Sequence, residues 1–166
     1  MTPEELKNSH KLHEFASELR GKLLNGAAWI DMLLCEIITS YFCTNQNRRA
    51  LFFSEIGVDI NLYRKTELLL KILKREFPVI LVSYPRLQEQ LNAFRKFRNL
   101  LAHSHIDTSK LALGAKSTDE VTFIFYENGK TKRQRVTRAD AQSRAKQANQ
   151  LRDTLLQIQS RIVSPT

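Results

Sequence analysis

Residues 85–107 read PRLQEQLNAFRKFRNLLAHSHID. Pro85 suits the opening of a helix, and Leu87, Leu91, Phe94 and Leu101 follow at helical spacing, with Ile106 as a last candidate core position. Towards its end this helix carries Arg95, Arg98, Asn99 and His103. On α-helical geometry Asn99 and His103 lie about 40° apart around the axis, Arg95 about 80° from His103 and Arg98 about 140°. From there one long side chain can fold back over the rim. Arg, Asn and His near one edge of otherwise apolar turns point to a ligand or a second subunit at that edge.

Working outward, residues 3–43 show helical periodicity. Thr2 is a candidate N-cap with Glu5 three residues on, and Pro3 fits the first turn. Leu6, Leu12, Phe15, Leu19, Leu23, Ile30, Leu33, Leu34, Ile37, Ile38 and Phe42 form its apolar set, and Gly21 and Gly26 are places where it can bend or split. A short helix is expected over 48–56, ending at Gly57. Asp59 or Asn61 caps the next, with Leu62, Leu69, Ile72 and Leu73 as its stripe and Pro78 as its end. Trp29, Phe42, Phe52, Phe53, Phe77, Phe94 and Phe97 read as core.

After Asp107 the pattern changes. TSKLALGAKSTDE reads as a loop and VTFIFY as a strand. Asn128-Gly129 is a type I′ hairpin signal, and TKRQRVT is the returning strand. A two-residue turn pairs Val121 with Val136 and Ile124 with Arg133, and puts Arg133 and Arg135 on one face. Thr137 caps a final helix over about 138–162. The chain is therefore expected to be mainly all-α, a helical bundle with one β-hairpin inserted near residues 121–137. It reads as a single domain over 1–166, with a helical core over 1–107 and a basic hairpin plus C-terminal helix over 108–166.

The 166 residues carry a formal net charge of +9. Residues 128–166 hold nine bases and two acids, a net +7, whereas the first 127 residues hold 17 bases and 15 acids. Positive charge gathered in one part of a domain suits a polyanion partner. Lys132, Arg133, Arg135 and Arg138, with Arg95, are the candidate phosphate-backbone contacts.

Several classes are excluded. There is no Gly-rich phosphate loop, no Gly-x-Ser-x-Gly elbow and no HExxH motif. His10 and His13 lack the further ligands a metal site needs. Cys35 and Cys43, eight residues apart on one helix, are about 12 Å apart along the axis, too far to bridge. Both read as buried free thiols in a reduced, cytoplasmic compartment. No apolar run approaches the length of a membrane span and the N-terminus has no signal-peptide pattern. No metal, cofactor or membrane contact is expected. His105 is expected to fray at the helix C-terminus. The aromatics Phe123, Phe125 and Tyr126 are expected on a two-stranded hairpin covered on one face rather than on a base-stacking platform.

RNLLAHS at residues 98–104, in a chain of this helical layout, resembles the HEPN superfamily. That family's motif is Arg, usually a polar residue, then His after four to six intervening residues, and Arg98, Asn99 and His103 match it. The resemblance is specific over about residues 85–105 and looser over the helices of 4–76. It does not extend to the hairpin and last helix. It implies an antiparallel helical bundle, a homodimer joining two motifs in one cleft, and a metal-independent endoribonuclease of the toxin or defence type, with a possible cognate antitoxin. By the same resemblance His103 is the acid–base group, Arg98 stabilises the phosphorane, and Asn99 orients the pair or the phosphate. An imidazole suits proton transfer near neutral pH, and a guanidinium matches phosphate oxygens. The family also holds regulators similar to mannitol operon repressors, whose helix ends are alike, so a non-catalytic regulatory or binding role stands as the alternative.

Overall fold

A computed structural model describes residues 2–113 and 119–163. It is mostly helical with a small three-stranded antiparallel sheet. The elements are α1 (Pro3–Phe42), α2 (Gln46–Phe52) continuing as a π-helical turn (Phe53–Gly57), α3 (Leu62–Glu76), α4 (Pro78–Ser83), α5 (Leu87–His103), β1 (His105–Ile106), α6 (Lys110–Leu113), β2 (Glu120–Glu127), β3 (Lys130–Thr137) and α7 (Arg138–Val163).

Local chemistry sets several boundaries. Thr2 and Glu5 form a reciprocal capping box, with Glu5 N–H donating to Thr2 Oγ1 at 3.2 Å and Thr2 N–H to Glu5 Oε2 at 2.7 Å. Asn45 caps α2, and Asn61 rather than Asp59 caps α3. Thr137 and Asp140 repeat the box at α7. Neither Gly21 nor Gly26 interrupts α1, because a glycine in an interior turn weakens a helix by only about 1 kcal/mol, which the packing of a 40-residue helix absorbs. Pro78 does not merely end α3. It opens α4, where its missing N–H leaves no donor unsatisfied.

The chain divides into two compact units, residues 1–25 with 96–146, and residues 26–95 with 147–166. In the first, Phe15, Ala16 and Leu19 of α1 pack with Leu100 and Leu101 of α5, Val121 and Phe123 of β2, and Val136 of β3. In the second, Ile30, Leu33, Leu34 and Ile37 of α1 pack with Leu69 and Leu73 of α3, Ile80 of α4, Leu87 and Leu91 of α5, and Leu151, Leu155, Ile158 and Ile162 of α7.

Several expectations about burial are corrected. Trp29 is 58% exposed, because it stands with Met32 on the outward side of α1 while Ile30 and Leu33 turn inward. Leu6 and Phe42 are also exposed, and Cys43 is half-buried. The remaining expected core phenylalanines, Phe52, Phe53, Phe77, Phe94 and Phe97, are half-buried. The apolar stretch of α1 also proves longer than a count of unbroken runs suggests. An 18-residue window is apolar enough to cross a membrane by length and composition, although 44% of it is buried within the protein. Asp31 and Glu36 break the run without lowering the average enough.

The sheet has order β1-β2-β3. Val121 faces Val136 and Ile124 faces Arg133, the register a two-residue turn dictates. Asn128 and Gly129 both take positive φ, 53° and 73°. The loop expected over 108–120 holds α6, and its residues 114–118 lie outside the described residues.

In the second unit Lys65 is 2% exposed, and its Nζ donates to Asp31 Oδ2 at 2.8 Å. Nearby, Gly57 lies against Cys35. Burial pushes the Cys35 thiol up, against the opposing charge of Lys65. A Cβ on Gly57 would stand 2.3 Å from Cys35 Sγ. Gly57→Ala is therefore expected to cost about 1–3 kcal/mol of stability in urea denaturation. In a Cys35→Ala background the same substitution should cost less, since the overlapping sulfur is gone.

Candidate functional site

The expected site residues sit at the end of α5. Asn99 and His103 are exposed and Arg98 is half-buried. Arg98 Nη1 donates to Asn99 Oδ1 at 3.3 Å, so the guanidinium folds along the helix edge. His103 is the last residue of the helix. Among the described residues no hydrogen bond or ion pair engages its ring. Arg95 belongs to the other compact unit. There its guanidinium lies 4.5 Å from the centroid of the Tyr63 ring, with Nη2 3.5 Å from Asn92 Oδ1.

The end of α5 is held from α1. Arg20 Nη2 donates to the Ser104 carbonyl at 2.6 Å and reaches Ser104 Oγ at 3.5 Å. Its guanidinium lies 5.3 Å from the centroid of the Phe123 ring. Carbonyls of a last helical turn have no partner within the helix, and a cation suits that pole. Arg20 supplies both, one residue beyond His103. Sequence reasoning passed over it. Its signal was its place on the inward face of α1, four residues after the buried Ala16.

Past Ser104 the chain turns at once into β1. His105 pairs with Ile124 and Ile106 with Phe123. The expected fraying of His105 is thus corrected: it lies in a strand, because Ile106 packs against the core and draws its neighbour into the sheet. Asp107 follows, buried, with Oδ1 accepting from Ser109 N–H at 3.0 Å and Oδ2 lying 3.4 Å from Arg133 Nε. The Ser109 backbone N–H, then its hydroxyl and the Arg133 charge, hold the Asp107 carboxyl below its usual range against the effect of burial.

The three hairpin residues expected to contact phosphate each have an acid beside them. Lys132 pairs with Glu127, Arg133 with Asp107, and Arg135 with Glu120. Arg138 pairs with Asp119 at 3.3 Å and Glu18 at 3.9 Å, over the Phe15 ring. The positive charge of this segment is therefore partly neutralised at close range, which the count of +7 over residues 128–166 does not convey. Exposed pairs of this kind add little stability and stay available to a competing anion.

His10 and His13 are exposed on α1, and no group of three or more His, Cys, Asp or Glu that could hold a metal occurs among the described residues. A hollow of about 160 Å³ lies along α1 and α7, walled by Phe15, Leu19, Leu23, Ala141 and Ala145, with Arg138 at its rim. None of the three motif residues lines it. No protein-family model, curated protein or solved structure matches the chain.

The Asp107 contacts carry a pH dependence. Its folded pKa lies below the usual 3.8, so its stabilising contribution is present above that value and is lost as pH falls through the folded pKa. Asp107→Asn is expected to lower stability at pH 7. The gap to wild type should close as the pH of thermal melts is taken below about 3.8.

Proposed function

We propose that this chain is a HEPN-like, metal-independent endoribonuclease of the toxin or defence type, working as a homodimer on cytoplasmic RNA. The observation that carries the reading is the exposed ring of His103 at the end of α5, one turn beyond Asn99, with Arg98 folded onto the same edge. A structural role for the motif would instead tie these groups into the chain's own core.

The chemistry suits these groups. RNA supplies its own nucleophile in the 2′-hydroxyl, so no metal need generate one. Attack on the adjacent phosphorus requires a base at the 2′-oxygen and an acid at the departing 5′-oxygen. One motif brings one imidazole, and a second copy brings the other. Arg98 supplies a planar pair of donors for the oxygens of the phosphorane. Asn99, one turn before His103, orients the substrate phosphate or the Arg98 fork.

A second reading, a regulatory protein that binds a partner at this edge without chemistry, is favoured by the acids paired with the hairpin cations. RNA cleavage in EDTA separates the two. Under the ribonuclease reading the wild type leaves 2′,3′-cyclic phosphate ends, and Arg98→Ala or His103→Ala lowers the rate by about 10²-fold or more. A folded dimer that cleaves none of a broad set of RNAs returns the regulatory reading.

A further inference from the structure

We propose that the outer face of the sheet is a platform that holds single-stranded RNA as it leaves the His103 edge. The proposal rests on the reading of this protein as one that handles RNA, and adds how the strand is held.

Residues paired across antiparallel strands share a face. Ile106, Phe123 and Gln134 form one row, and Val121 with Val136 another. These rows lie on the side that carries the core. The opposite side therefore presents His105, Ile124 and Arg133 in a row across all three strands, with Tyr126 and Thr131 on one flank and Thr122 and Arg135 on the other. Of the strand aromatics, Phe123 and Phe125 belong to the core and Tyr126 alone turns outward, 76% exposed. His105, Thr131, Arg133 and Arg135 are exposed as well. The half-buried Ile124 forms the apolar centre of this face.

This set of groups fits one kind of partner. A phenol and an imidazole offer flat faces for unstacked bases, and guanidinium groups meet the phosphates between them. Arg133 is poised for this, because Asp107 lies 3.4 Å from its Nε while the side chain remains 64% exposed. The strand need not travel far. His105 is two residues from His103, about 7 Å at full extension. Lys132, by contrast, shares the core-side face with Phe125, and so is not part of the platform.

The test is fluorescence anisotropy with a labelled, fully 2′-O-methylated single strand of about 12 nucleotides, a length suited to such surfaces. The probe has no free 2′-hydroxyl, so binding is read without cleavage. The wild type is expected to bind it in preference to a duplex of the same sequence. Tyr126→Ala should weaken binding about 5- to 100-fold, and Tyr126→Phe, which keeps the ring, should restore it. Arg133→Ala should lower the salt slope by roughly 0.7, the share of one phosphate contact. No binding by the wild type, unchanged affinity in Tyr126→Ala, or equal affinity for the duplex would each overturn the platform. Tyr126-dependent binding in a protein that cleaves no RNA would uphold the platform and remove the ribonuclease reading. Cleavage with unchanged Tyr126→Ala binding would do the reverse.

Discussion

A helix that ends against a core must find donors for its last carbonyls, and here a donor comes from another helix. The Arg20 guanidinium takes the Ser104 carbonyl at 2.6 Å while lying over the Phe123 ring. That contact lies one residue past the end of α5. His103 is the last helical residue, and after Ser104 the chain enters β1 at His105. The sheet register follows, since His105 and Ile106 must meet Ile124 and Phe123. A hydrogen bond from a charged donor contributes about 1.5–3 kcal/mol, comparable with burying one large apolar side chain. The contact thus contributes to holding the end of α5 against α1.

The charges follow a second logic. The basic segment looks like a free cationic surface in composition, yet Lys132, Arg133 and Arg135 each stand beside an acid. Pairs exposed to water are weak, so the pairing orients the guanidinium groups more than it consumes them. Arg133 is the clearest case, because its partner Asp107 is buried and fixed by Ser109. The acid lies beside Nε, and the Arg133 side chain is 64% exposed. Arg95 takes a different course, with its charge spent on the Tyr63 ring in the other compact unit.

The starts of α1, α3 and α7, the hairpin turn and its register were legible from neighbouring residues alone. Thr2 with Glu5, Asn61, and Thr137 with Asp140 act over three positions, and Asn128-Gly129 acts over two. The polar edge of α5 was legible for the same reason, since helical spacing alone places Asn99 and His103 together. Pattern reading failed where one residue had two acceptable faces to choose between. Trp29 is as apolar as Ile30, and only the position of the neighbouring helices decides which of them is buried.

The sequence by itself determined that this protein is mostly helical, that a hairpin interrupts the helices, and that Arg98, Asn99 and His103 close one of them. These are short-range matters of capping, turn chemistry and periodicity. The tertiary structure decided that a third strand joins the hairpin, that Arg20 holds the helix end, and that Lys132, Arg133 and Arg135 each meet an acid. Those contacts join residues that are distant along the chain, as with Arg20 and Ser104 or Asp107 and Arg133. Their partners are selected by packing in three dimensions, and no local pattern encodes such a choice.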